Sequence, residues 1–338
     1  MAFSFLTQEL AIDLGTANTV VFVNDKKVID EPSIVAIDKL TGKTVAVGKK
    51  AKEMHERTSP SIRTVRPLKD GVIADFDAAE QMIRGFVKMI NSKRSIFSPS
   101  LKMIVCIPSG STEVEKRAVR DASEHSGGRD VQMIFEPMAA ALGIGLDVTA
   151  PSGNMIVDIG GGTTEIAVIS LGGIVADESI KVAGDVFTDE IRQYMRQQYN
   201  IRIGEITAEQ IKMEVGAAVS ELEEQVDPFT TTGPNIMTTL PVEATVTYQE
   251  IAHCLDKSLA KIESSMITVL EHTPPELYSD IVKKGIYLTG GGALLRGLDS
   301  RLSKKLNIPV HVAEDPLRAV ARGTCIALKN PSFPFLMR

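Results

Sequence analysis

The chain has 338 residues, a formal net charge of −6 at pH 7, 43% apolar residues and 24% charged ones. That length suits two domains or one large one, the composition is that of a soluble globular protein, and the acidic balance excludes nucleic acid as an electrostatic partner. Cys106, Cys254 and Cys325 are scattered without ligand spacing, as are the five histidines, and there is no signal-peptide pattern and no run approaching about 18 apolar residues; reduced thiols, no zinc site and a cytoplasmic protein without a membrane span are expected.

In chain order, the first six residues, with Phe3 and Phe5, read either as a tail packed on the domain or as a small interfacial anchor. Residues 10–23 read as strand, turn, strand: Leu10-Ala11-Ile12-Asp13 ends in an acid, Leu14-Gly15-Thr16-Ala17-Asn18 turns, and Thr19 to Val23 returns. Residues 28–50 suggest short strands around a turn at 39–43, and 49–57 a helix. Residues 78–90 place Met82, Ile83, Phe86, Val87 and Ile90 on one helical face. The following polar loop carries Ile96 and Phe97 beside Lys93 and Arg94. It reads either as a pair folded back into the core or as an apolar tip that dips into an anionic membrane.

Residues 101–107 form a strand, 112–125 a helix with a Thr112/Glu115 capping box, and 131–135 another strand, which is α/β alternation. Glu136-Pro137 then opens a small-residue helix. Glu136 either complements the helix dipole or orients a water molecule. Asp158-Ile159-Gly160-Gly161-Gly162-Thr163-Thr164-Glu165 lies between two apolar runs. Aligned with residues 13–23, it pairs Asp13 with Asp158, Gly15 with Gly160, Thr19 with Thr164 and Val23 with Val168. Two such hairpins suggest two related domains, each offering a loop whose glycines and N–H groups suit phosphate.

Further on, Thr207 and Gln210 suggest a capping box with an Ile206/Ile211 staple; Glu209 and Lys212 share a face, as a salt bridge or as a ribose or adenine contact. Residues 226–247 read as extended and 248–272 as one long helix. Thr289-Gly290-Gly291-Gly292-Ala293-Leu294 joins a strand to a helix, a place for close backbone approach, with neither the dinucleotide pattern nor a P-loop. Asp315-Pro316 repeats the acid-proline-alanine plan of Glu136-Pro137, so the two helices are expected to pack as a hinge.

This order of motifs resembles the actin, sugar-kinase and chaperone ATPase superfamily along essentially the whole chain. In detail it is most similar to the rod-shape-determining bacterial actins of the MreB group, through Ile12 to Thr19, Arg66 to Phe76, Glu136 to Ala141 and Leu288 to Gly297. The resemblance implies an α/β, actin-like two-domain ATPase fold, each domain a duplicated mixed sheet flanked by helices, with nucleotide in the interdomain cleft. Domain I would be 1–145 plus 313–338 with a small insertion at about 33–65; domain II would be 146–312 with one at about 182–250.

By the same resemblance Thr16, Ala17 and Asn18 line the first phosphate loop and Gly160, Gly161 and Gly162 the second. Asp13 and Asp158 hold Mg2+ through water. Glu136 and Thr163 position the attacking water, while Glu209, Gln210, Ile211, Lys212, Gly291, Gly292, Ala293 and Leu294 enclose the nucleoside of ATP or GTP. Slow hydrolysis would accompany polymerisation into paired protofilaments at the inner face of the cytoplasmic membrane. There the partners would be lipid, through Ile96, Phe97, Phe3 and Phe5, and membrane proteins of cell-wall elongation. The competing readings are a plasmid-segregating actin, a metabolic kinase, which needs a separate base, and a chaperone ATPase, which needs a further peptide-binding domain.

Overall fold

The computed structural model describes residues 7–24, 26–90, 100–330 and 332–337. The expected membrane residues Phe3, Phe5, Ile96 and Phe97 lie outside them. Two five-stranded mixed sheets follow one plan. In the first, β1 (Thr7–Leu14), β2 (Asn18–Val23) and β3 (Lys26–Pro32) form an antiparallel meander. The chain then builds a separate three-stranded sheet from β4 (Val35–Asp38), β5 (Thr44–Val47) and β6 (Ile62–Val65), with α1 (Lys49–Met54) between the last two. A tight hairpin, β7 (Leu68–Lys69) and β8 (Val72–Ile73), turns at Asp70-Gly71, where both residues have positive φ. After α2 (Phe76–Ile90), β9 (Ser100–Ile107) joins the other side of β1 in parallel, and α3 (Glu113–His125) leads to β10 (Gly128–Phe135), parallel to β9.

The second sheet repeats this after α4 (Glu136–Gly143). Its meander is β11 (Asn154–Ile159), β12 (Thr164–Ser170) and β13 (Gly173–Ile180). Next come α5 (Gly184–Gln198), α6 (Glu205–Val215), the hairpin β14 (Phe229–Pro234) with β15 (Pro241–Val246), α7 (Tyr248–Glu271) and α8 (Pro275–Lys284). Strand β16 (Ile286–Thr289), α9 (Leu298–Leu306) and β17 (Val310–Val312) complete the parallel edge, and α10 (Ala319–Lys329) follows. Both sheets therefore run third, second, first, fourth, fifth strand, which is the architecture expected from the duplicated hairpins.

Local signals act as expected at several boundaries. The Thr112/Glu115 capping box starts α3 and Pro137 occupies the first turn of α4; the structure adds a Thr247/Glu250 box at the start of α7 that was not among the expectations. Strands β11 and β12 are buried along their whole length because helices cover both faces of the sheet. The start of α6 differs from expectation. Thr207 and Gln210 form no capping box; the helix begins three residues earlier than that box would place it, at Glu205 behind Gly204. The Glu56 carboxylate, from the end of the small sheet's helix, accepts the Glu205 N–H instead, at 3.2 Å. A cap supplied from 149 positions away outcompetes the local one. Among the described residues no helix is long and apolar enough to cross a membrane.

Helices α4 and α10 cross between the two sheets, within a core that includes Ile104, Ile134, Ile156 and Ile169. Their backbones touch: a Cβ on Gly143 would run into the Ala319 carbonyl, and one on Gly323 into the Ala139 carbonyl. The C-terminal residues pack on this pair, with Met337 bridged to Met133 and Phe333 stacked on Phe335 at 4.7 Å. Gly323→Val is expected to cost more than the ~3 kcal/mol of severe side-chain overpacking, because backbone must move, and to lower Tm by roughly 6 °C or more. An unchanged thermal melt would contradict this packing.

Candidate active site

The duplicated hairpins place Asp13 and Asp158 one residue before the ends of β1 and β11, where the two loops face each other. A Cβ on Gly161 would lie 2.7 Å from Ala17 Cβ, and one on Gly162 2.6 Å from Thr16 Oγ1 and 2.9 Å from the N atoms of Asp70 and Gly71. Side chains at 161 and 162 would fill the gap between the domains; glycine leaves it open. The first loop is braced from behind, since Ser33 N donates to Ala17 O (2.9 Å) and Ser33 Oγ to Gly15 O (2.6 Å). The second is braced by α5, whose Gly184 and Asp185 N–H groups donate to Gly160 O and Gly161 O at 3.1 and 2.8 Å. With those carbonyls turned back, the N–H groups of Thr16, Ala17, Gly161 and Gly162 have no acceptor among the described residues. Converging free N–H groups form an anion cradle.

Beneath the loops four carboxylates converge. Burial holds the Asp158 carboxyl up at about 7, against a hydrogen bond from Thr289 Oγ1 (2.7 Å) and with added repulsion from Asp13 and Glu165. Burial raises Asp13 to about 6, opposed by the Cys106 thiol 3.3 Å from its Oδ1. Glu136 is pushed well above the usual carboxylate range by burial, then by Glu165, Asp158 and Asp13. Its carboxylate makes no hydrogen bond to a described residue, and the residue is half-buried. Glu165 by contrast accepts from Ser109 N and Oγ across the cleft (3.0 and 2.9 Å) and from Ser179 Oγ (2.6 Å). No Lys or Arg pairs with Asp13, Glu136 or Asp158 among the described residues, and no three acids there are arranged to ligate one ion directly. This donor set fits a polyphosphate accompanied by a hydrated divalent cation. The cation would sit by Asp13 and Asp158, and the phosphates against the loop amides.

The remaining expected residues surround this centre. Thr163 is buried against Gly71 in the β7–β8 turn, its Oγ1 3.2 Å from where a Gly71 Cβ would be. Thr16 Oγ1 accepts from Gly71 N at 3.0 Å and keeps its own proton to donate. Asn18 is exposed at the loop. The 3-10 turn of Gly291, Gly292, Ala293 and Leu294 lies on Ile159 beside the second loop; a Cβ on Gly292 would strike the Ile159 side chain. Lys212 spends its three donors on Glu209 (2.7 Å), Gly184 O (2.9 Å) and Thr188 Oγ1 (3.0 Å), tying α6 to the base of α5. Gln210 is exposed, whereas Ile211 is fully buried in the core of the second sheet, so only its backbone can face a ligand.

The family model described as MreB/Mbl protein matches residues 7–333. The chain belongs to the MreB/Mbl family. It is 46% identical over 324 residues to "Cell shape-determining protein Mbl" of Bacillus subtilis (strain 168), covering 96% of each chain. It is 47% identical over 328 residues to "Cell shape-determining protein MreB" of Escherichia coli (strain K12), covering 96% of this chain and 94% of that one. Its fold is also that of MreB 5 of Spiroplasma citri, solved bound to AMPPNP, with a TM-score of 0.90 at 38% identity over 96% of this chain and 97% of that one. The fold is therefore actin-like.

In this MreB/Mbl chain several contributors carry no local sequence signal. Arg66 reaches across the cleft to Asp185 with a two-pronged contact (2.8 and 2.9 Å) and to Glu205 (2.8 Å). Thr289 and Cys106 occupy matching places beside the two aspartates, Thr289 in register with Asp158 and Cys106 next after the Ile12/Val105 pair. The duplication offered a clue: once the hairpins align, the strand beside each must supply such a neighbour. Because Asp13 and Asp158 keep protons that the unfolded chain releases near pH 4, the folded state binds more protons between about pH 4 and 7, and its stability falls as pH rises through that window. Thermal melts in EDTA from pH 5 to 8 should show a shallower decline for Asp158→Asn than for wild type. Parallel curves would contradict the shifted acid.

Proposed function

We propose that this chain is an ATP-driven cytoskeletal actin that polymerises and determines cell shape. The observation that carries the reading is the pair of free-amide loops facing each other over Asp13, Asp158 and Glu136, at the junction of 1–145 plus 313–338 with 146–312. That division, with insertions at about 33–65 and 182–250, defines the two domains of the proposal. Family membership and the names of the relatives support the cytoskeletal role, and the AMPPNP of the Spiroplasma protein supports an adenine nucleotide as ligand.

In the proposed site Thr16, Ala17, Asn18, Gly160, Gly161 and Gly162 hold the phosphates by main-chain and hydroxyl donation. Gly291 to Leu294 and the Glu209 to Lys212 turn of α6 enclose the nucleoside. Asp13 and Asp158 would hold a hydrated Mg2+, which would supply charge neutralisation to the phosphates. Glu136, as its carboxylate, orients a water molecule toward the terminal phosphorus, with Thr163 fixing the loop behind it. The water oxygen bonds to phosphorus, the bond to the ADP oxygen breaks, and the water proton passes to Glu136. With one candidate base and, among the described residues, no cationic side chain paired with Asp13, Glu136 or Asp158, hydrolysis is slow, as timing a polymer requires.

With ATP and Mg2+ the protein should pellet as filaments visible by electron microscopy; a protein that stays monomeric at every concentration would sink the proposal. Glu136→Ala filaments should persist while phosphate release slows by roughly tenfold or more, and an unchanged release rate would remove Glu136 from the mechanism. The polymer is further proposed to lie at the inner face of the membrane through Ile96, Phe97, Phe3 and Phe5, beside membrane proteins of cell-wall elongation. Ile96→Ser with Phe97→Ser should weaken co-sedimentation with anionic liposomes, and equal pelleting of variant and wild type rules the loop out.

A further inference from the structure

A cavity of about 650 Å³ lies between α5 and the β14–β15 hairpin, and none of its lining residues belongs to the nucleotide site. Its size is in the range of small-molecule pockets. One wall is α5, where Arg192 and Arg196 stand one turn apart; Arg202 and the hairpin residues Pro234, Asn235 and Ile236 form the other. Of the three guanidinium groups only that of Arg192 has an acid, Asp189 at 3.0 Å; Arg196 and Arg202 make no ion pair with any described residue. Three cations facing one cavity with a single carboxylate among them repel one another, and an anion placed between them relieves that repulsion. Guanidinium forks bind phosphate oxygens in pairs.

The walls are fixed before any ligand arrives. Arg202 N donates to Pro234 O (3.0 Å), Ile236 N to Asn200 O (2.8 Å) and Asn235 N to Leu240 O (2.8 Å). Asn235 Oδ1 accepts from Met237 N and Thr238 N at 2.9 and 3.0 Å. Gly233 admits the Arg202 carbonyl, which a Cβ would meet at 2.7 Å. The hairpin therefore holds the backbone of Arg202 opposite α5, so that binding has only the exposed arginine side chains left to order. We propose that this cavity is a second anion site that binds a phosphate group, gripped by Arg196 and Arg202, with Pro234 and Ile236 against the apolar part of its carrier. Met237 and Leu240, exposed at the hairpin tip (83% and 64%), offer an apolar contact if the phosphate belongs to a lipid headgroup.

The test has two arms, each on the full chain with the cleft saturated by AMPPNP. Inorganic pyrophosphate is titrated calorimetrically at about 0.1 M salt, where screening leaves close contacts intact, and phosphatidylglycerol vesicles are co-sedimented. Wild type should bind in at least one arm. Arg196→Ala with Arg202→Ala should weaken that binding by roughly tenfold or more while AMPPNP affinity stays the same. Lys304→Ala with Lys305→Ala, which removes equal charge from exposed α9 positions, should leave it unchanged. Loss in the pyrophosphate arm assigns the site to a soluble phosphate compound, and loss with vesicles alone to a headgroup. Absence of binding by wild type in both arms, equal binding by the arginine variant, or an equal loss in the lysine variant overturns the proposal.

Discussion

Four carboxylates that repel one another at the junction of two domains set the terms for the rest of this molecule. Asp13, Glu136, Asp158 and Glu165 come from four different elements, and burial makes their mutual repulsion stronger than it would be in water. The fold answers each of them differently. Glu165 is satisfied by three donors, two of them from Ser109 in the opposite domain. Asp158 has the Thr289 hydroxyl and Asp13 the weaker Cys106 thiol. Glu136 has nothing. A cluster so arranged attracts cations and retains protons, and the free amides directly above it attract anions. The two preferences together describe a metal-polyphosphate better than either describes a simple ion.

Two mechanical features hold the domains around that cluster. On one side Gly143 and Gly323 bring the backbones of α4 and α10 into contact. On the other, Arg66 clamps Asp185 and Glu205, and the same Glu205 N–H is capped by Glu56. Asp185 also donates its own N–H to Gly161 O in the second phosphate loop. One residue, Asp185, therefore joins the glycine loop to the Arg66 clamp.

What was legible in the sequence was whatever is written locally or written twice. The two Asp-apolar-Gly hairpins announced the duplication because a tight turn in close contact with neighbouring backbone tolerates few residue types, and the sheets repeat their order accordingly. Capping boxes at α3 and Pro137 at α4 marked true boundaries for the same reason. The start of α6 was not legible because its cap is Glu56. The contacts of Arg66, Ser109 and Thr289 were not legible because their partners lie far along the chain. Lys212 and Glu209 did share a helix face, yet that face is turned to the base of α5, which only packing decides. Ile211 shows the same limit, being in the right turn of helix with its side chain in the core.

In the proposed cleft, phosphate and divalent cation are held together, each compensating what repels the other. Equilibrium binding of ATP, measured with and without Mg2+, tests this joint binding most directly. Wild-type protein should bind ATP at least tenfold more tightly when Mg2+ is present, and Asp13→Asn with Asp158→Asn should erase most of that difference while ATP still binds. Failure to bind ATP, or a dependence on Mg2+ that survives loss of both aspartates unchanged, would contradict it.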